Sequence, residues 1–136
     1  GELQRGLRLY SGFSAINGKL KRTANGSFDG KDAPDVPDYT LTANLDWDVP
    51  GLPGLTLQGG VVRNGKQFFD NANTQVVPAW TRLDLGLRYT TVVTGRKTLF
   101  RFKVENAADK NYLLGDRGFL YLASPRTFLL SASVDF

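Results

Sequence analysis

Residues 125–136 (PRTFLLSASVDF) place an apolar side chain at every second position from Phe128 to the end. Phe128, Leu130, Ala132, Val134 and Phe136 share one face of an extended strand, and Leu129, Ser131, Ser133 and Asp135 share the other. A period of two commits a segment to a strand with one face in an apolar medium. The run ends on an aromatic residue, whereas domain ends usually fray as polar tails, so an anchored end is expected.

The same device recurs along the chain. Tyr39, Leu41, Ala43, Leu45, Trp47 and Val49 alternate with Asp38, Thr40, Thr42, Asn44, Asp46 and Asp48. Leu83, Leu85, Leu87 and Tyr89 alternate with Arg82, Asp84, Gly86 and Arg88, and Phe100, Phe102 and Val104 with Arg101, Lys103 and Glu105. Weaker versions set Leu7, Leu9, Phe13 and Ala15, and Leu55, Leu57, Gly59 and Val61, on one face. The pattern predicts an all-β antiparallel meander of about six strands. Asn17-Gly18 and Asn64-Gly65 leave two readings open: hairpin turns that split long strands, or strands that continue past them. The connectors alternate in length, with 23–37, 70–78 and 108–126 long and polar or mixed, and 50–54 and 94–97 short.

Composition narrows the function. The 136 residues contain no Cys, His or Met, which removes thiol and imidazole metal sites and any nucleophile–base pair built on them. The net charge of +4 is scattered among acidic residues, unlike the clustered footprint of a nucleic-acid binder. Mean hydropathy is -0.25, and no apolar run approaches the ~20 residues of a membrane helix. A membrane strand needs only ~9–11 residues, every second one apolar, and that remains open. The first residues show no basic start followed by an apolar stretch, so the expectation is a cytoplasmic protein or a mature or internal piece of a longer chain. Gly59-Gly60 lacks the following Lys-Ser/Thr of a phosphate loop, and Asp29, Asp32 and Asp35 lack the spacing of a calcium loop.

Alternation does not say whether the apolar face meets lipid or a protein core, so a small soluble β-sandwich or lipocalin-like binding module stands as the alternative. Tyr39 and Trp47 favour lipid. They lie on one face about 26 Å apart along a strand, or about 20 Å across a bilayer after a ~40° tilt, close to the spacing of two aromatic girdles. The opposite face carries Asp46, Asp48, Arg82, Asp84, Arg88, Arg101, Lys103 and Glu105, a composition suited to a wet lumen or an ordinary solvated face. About six strands are too few to close a barrel, so under the lipid reading further strands are expected elsewhere.

Four blocks, in order, carry a family resemblance: 35–40 (DVPDYT), 77–84 (VPAWTRLD), 104–112 (VENAADKNY) and 125–136 (PRTFLLSASVDF). Together they resemble the carboxyl-terminal part of TonB-dependent outer-membrane receptors, particularly ferric-siderophore receptors of the ferrichrome type. The resemblance departs at Ala107-Ala108, where the family usually has a larger apolar residue followed by a variable one. It implies that residues 1–136 are the carboxyl-terminal segment of a 22-stranded transmembrane barrel in a Gram-negative outer membrane, with the plug domain outside the chain. It implies transport without an enzyme's chemistry, no cofactor and no metal site. The implied partners are a ferric siderophore, the TonB complex acting through a region outside this chain, the barrel-assembly machinery and membrane lipid, with no nucleic acid. Phe68, Phe69, Tyr112, Arg117, Phe119 and Tyr121 are then candidate ligand contacts in extracellular loops. Phe128, Leu130, Ala132, Val134 and Phe136 form the candidate assembly signal. Asn106, Asp109 and Lys110 are expected to fix a turn.

Overall fold

The computed structural model describes residues 1–116 and 118–135. Among these, the strands are β1 (Glu2–Gln4), β2 (Leu7–Ala15), β3 (Tyr39–Asp48), β4 (Leu55–Asn64), β5 (Gln67–Phe68), β6 (Val76–Val77), β7 (Trp80–Val93), β8 (Arg96–Glu105), β9 (Leu113–Asp116), β10 (Phe119–Leu122) and β11 (Thr127–Val134). A single 3-10 turn covers Ala24–Gly26, and the described residues contain no α-helix. Seven strands form one sheet in the order β1-β2-β3-β4-β7-β8-β11, and every adjacent pair is antiparallel. The meander therefore has the six expected strands and one more, the short β1, folded back on β2.

Register turns the alternation into architecture. Across β2 and β3, Leu9 stands opposite Leu45 and Leu7 opposite Trp47. The set continues as Leu45–Gly59, Gly59–Leu85, Leu85–Val104 and Val104–Phe128. A slip of one residue in any pair would turn one strand's apolar set to the other side, so the five registers together build one apolar face. The polar face is equally continuous, with Arg8 opposite Asp46, Asp46 opposite Gln58, and Gly86 opposite Lys103.

No second layer covers the apolar face. Among the described residues only Val77 and Ala123 are buried hydrophobics, while Leu45, Leu57, Leu83, Leu85, Phe128 and Leu130 are exposed. In a sandwich or lipocalin these residues would be the core. Here the sheet is a single layer with two accessible faces, which disfavours the sandwich or lipocalin alternative.

Neither Asn-Gly pair makes a hairpin. Asn64 ends β4 and pairs with both Thr40 and Trp80, neither it nor Gly65 has positive φ, and the chain runs on into β5. Asn17-Gly18 likewise lacks the positive φ of a type I′ turn, and Ala33 donates to the Gly18 carbonyl. Neither reading holds: the pairs form no hairpin turn, and the long strands do not run past them, since β2 ends at Ala15 and β4 at Asn64.

The short connections gather at one end of the sheet. In the turn between β3 and β4, Val49 donates to the Leu55 carbonyl at 3.0 Å. Gly54 closes it at φ +88, its carbonyl accepts from Thr90, and an added Cβ would collide with the Thr90 carbonyl oxygen. Only glycine fits both the dihedral and the approach. The three long connections, 16–38, 65–79 and 106–126, gather at the other end.

Candidate functional site

The long connections lock onto one another. Asp38 and Asp35 of the first donate backbone N–H groups to the carbonyls of Lys66 and Phe68 in the second, at 3.1 and 2.8 Å. Asn73 clasps Asp32 from both sides: its Oδ1 accepts the Asp32 N–H at 2.8 Å, and its Nδ2 donates to the Asp32 carbonyl at 2.9 Å. Gln67 Nε2 donates to the Gly115 carbonyl of the third loop at 3.2 Å. The second loop is thus the bridge between the other two, and it carries its own hairpin, β5–β6. Asp70 braces that hairpin, accepting from the N–H groups of Gln75 and Thr74. Those bonds, Gln75 first, hold the Asp70 carboxyl below the usual carboxylate range.

Asn106 organises the third loop. It is 2% exposed, its Nδ2 donates to the carbonyls of Lys110 and Ser124 at 2.9 and 3.1 Å, and its Oδ1 accepts from the Lys110 N–H at 3.0 Å. Its own N–H donates to Asp84 on β7. Asp109 accepts from the Arg126 N–H at 2.9 Å and closes the loop's two ends. The segment 106–110 therefore fixes the turn that its polar residues suggest.

The six aromatic and arginine candidates divide. Tyr112 stacks on Trp80 with ring centroids 4.4 Å apart, so its ring is half-buried against the sheet. Phe68 and Phe69 are also half-buried; the Phe68 carbonyl ties the first loop and Lys66 lies over its ring at 6.0 Å. Phe119 and Tyr121 alternate along β10 and are 73% and 49% exposed at the loop end. Arg117 lies outside the described residues.

The sequence alone missed Gln67, Asn73 and Trp80, which join the loops or the loop to the sheet. Asn73 had one readable signal, its place in an Asp-Asn-Ala-Asn-Thr run of turn residues, and it takes φ 59. The three aspartates Asp29, Asp32 and Asp35 do separate work: Asp29 accepts from Thr23, Asp32 pairs with Lys19 at 2.5 Å, and Asp35 ties to the second loop. No group of three metal-ligating side chains occurs among the described residues.

The polar face is cross-linked strand to strand. Arg8 grips Asp48 with two hydrogen bonds of 2.7 Å, Thr56 donates to the same carboxylate at 2.8 Å, and Gln58 donates to Asp46 at 3.0 Å. Further along, Arg82 pairs with Asp84 within β7 at 3.0 Å and Lys103 with Glu105 within β8 at 2.6 Å, and Lys103 reaches across to Asp84 at 4.0 Å. Arg88 and Arg101 stand directly opposite each other, beside a cavity of about 510 Å³ at the short-turn end.

On β11, Phe128, Leu130, Ala132 and Val134 lie on the apolar face opposite Val104, Phe102, Phe100 and Thr98, while the strand's far edge pairs with no described strand. Phe136 lies outside the described residues.

Known proteins match this arrangement over its length. The family described as TonB dependent receptor-like, beta-barrel matches residues 2–107. The ferrichrome receptor FcuA of Yersinia enterocolitica is 37% identical over 139 residues, covering 100% of this chain and 18% of that protein. The probable TonB-dependent siderophore receptor PiuA of Acinetobacter baumannii is 27% identical over 122 residues, covering 82% of this chain and 16% of that protein. The crystal structure of BauA, the ferric preacinetobactin receptor from Acinetobacter baumannii, superposes with a TM-score of 0.92 at 36% identity, across 100% of this chain and 21% of that one. The chain spans less than a fifth of the length of the curated relatives it matches.

Proposed function

The chain belongs to the TonB dependent receptor-like β-barrel family of the Gram-negative outer membrane, and from that premise we propose that it forms the carboxyl-terminal wall of a receptor that takes up ferric siderophores. The observation that carries the reading is the match along the whole chain to a solved ferric-siderophore receptor, at 36% identity and TM-score 0.92. Members of this family transport and bind; they are not enzymes.

The geometry supports a division of labour in that wall. The apolar face meets lipid, and the polar face lines the passage. Cross-strand bonds such as Arg8–Asp48 keep that lining stiff while a cargo moves past. The locked loops sit over the mouth, where Phe119 and Tyr121 offer aromatic contacts to a flat iron chelate, with Arg117 as the sequence's cationic candidate for an anionic one. Phe68, Phe69 and Tyr112 act beneath them, holding the loops in place more than touching cargo. Energy arrives through TonB at a region outside this chain. Phe128, Leu130, Ala132, Val134 and Phe136 serve assembly: the open edge of β11 pairs with the assembly machinery by β-augmentation before the barrel closes.

The test is uptake of radio-iron by a Gram-negative strain stripped of its own siderophore receptors and expressing the protein that carries this chain. Ferrichrome and ferric preacinetobactin are the first chelates to offer. TonB-dependent uptake of at least one of a panel of hydroxamate, catecholate and mixed chelates is expected. Absence of binding and uptake across that panel, or uptake that persists without TonB, would contradict the reading.

A further inference from the structure

Near the short turns, one row of the polar face runs Asp48, Thr56, Arg88, Arg101 and Ser131 across β3, β4, β7, β8 and β11. Its first half is balanced in charge, because Arg8 grips both oxygens of Asp48 and Thr56 donates to the same carboxylate. Its second half is not. Among the described residues Arg88 makes one long hydrogen bond, 3.5 Å to the Thr56 hydroxyl, and Arg101 makes neither a hydrogen bond nor an ion pair. Two guanidinium groups directly opposite on paired strands repel each other. Lys97 adds a third cation to the same cavity, against one acid, Asp135, whose carboxylate is not already engaged.

The cavity these cations line, about 510 Å³, is of the size that holds small molecules. Leu52 and Leu99 give it apolar surface beside the charge. Its wall is pre-formed: Thr90 donates its N–H to the Gly54 carbonyl at 2.9 Å, and that close approach pins the turn carrying Leu52 against β7. The cavity is also remote from the loops. Arg88 lies eight residues along β7 from Trp80, about 26 Å at the rise of a strand.

We propose, resting on the uptake reading above, that this cavity is a second, exit-side site for cargo, and that it takes an anionic iron chelate of the catecholate class. Arg88 and Arg101 hold the charged chelating oxygens between them, which relieves the repulsion of the unliganded pair. Leu52 and Leu99 cover the faces of the aromatic rings. A neutral hydroxamate chelate gains neither contact, and a lone carboxylate gains only the first. The short turns mark the periplasmic end of such a wall, so a chelate held here has already passed the loops.

The test uses the complete receptor purified in detergent, with a bimane fluorophore on Ser133→Cys, which stands opposite Leu99 in the cavity wall. Iron(III) quenches the fluorophore on close approach. Ferric enterobactin, a highly charged tris-catecholate, should quench it saturably and bind at least about tenfold more tightly than neutral ferrichrome, with no displacement by an equal concentration of inorganic phosphate. The Arg88→Gln, Arg101→Gln double variant should lose that preference, and Leu99→Ser should weaken ferric enterobactin. Lys103→Gln, a cation of the same face outside the cavity, should change neither. Heat-resistant migration on a gel identifies the variants that fold. Equal quenching by the two chelates, displacement by phosphate, or a loss in Lys103→Gln as large as in the double variant would overturn the proposal. TonB-dependent uptake of ferric enterobactin without saturable quenching at Ser133→Cys would overturn the exit-side site alone and leave the uptake reading standing.

Discussion

The two faces of this sheet share every backbone hydrogen bond and are stabilised by opposite means. The polar face satisfies itself: Asp48 takes two bonds from Arg8 and one from Thr56, and Asp46 one from Gln58. The apolar face is left uncovered by any second layer, since Leu45, Leu57, Leu85 and Leu130 are all exposed. Under the proposed function its partner is the bilayer. A wall of this kind is stable only where its two surroundings differ, and the strict alternation of the strands is the record of that difference.

The comparison can be broken most forcefully at the middle of β3. Leu45→Arg should cost about 2–4 kcal/mol of barrel stability, because it sets a charge near the bilayer midplane. Asn44→Arg, one residue away on the polar face, should change stability by no more than about 0.5 kcal/mol. Urea titrations of the complete barrel in phosphatidylcholine vesicles give both values.

A second, smaller effect separates the sheet from the loops it carries. Asn106→Ala strands the carbonyls of Lys110 and Ser124 and the Lys110 N–H, at a cost of about 2–3 kcal/mol. That loss should be confined to the third loop, raising protease cleavage within 106–126 while the strands remain folded. Cleavage no faster than in the parent protein would remove Asn106 from its organising role.

The strands and the loops differ in how far they were legible. A period of two is a local signal, so β3 was readable to within one residue at each end. Its outward set Leu41, Ala43, Leu45 and Trp47 followed from the same pattern. β1 was not readable, because three residues carry no period and its strand character comes from pairing with β2. The hairpins β5–β6 and β9–β10 escaped for a related reason: bonds between distant segments hold them, such as Asp35 to Phe68 and Gln67 to Gly115. Tyr112 shows the limit most plainly. Its aromatic ring in a polar loop suggests a ligand contact, but only the fold reveals Trp80 beneath it.

The smallest effect is one of pH, and it lies in the second loop. Asp70 is held below its ordinary pKa by the Gln75 N–H and then by Thr74, so the folded loop favours the carboxylate. Its contribution is complete above the unfolded carboxylate range, about pH 4, and is lost as pH falls through the lower folded value. Hydrogen-exchange protection at Thr74 and Gln75 should be level from neutral pH down to about 4 and fall below it, while protection in β3 and β4 holds. Asp70→Asn should flatten that dependence.

The most direct test of the two-faced wall uses the absence of cysteine from the chain. Single cysteines at Thr42, Ala43, Asn44, Leu45 and Asp46 of the complete receptor, each carrying a nitroxide, report contact with membrane-dissolved oxygen and with a water-soluble nickel chelate. Ala43 and Leu45 should favour oxygen, and Thr42, Asn44 and Asp46 the chelate, in strict alternation. Oxygen and chelate accessibilities that rise and fall together, or that show no period of two, would contradict the account.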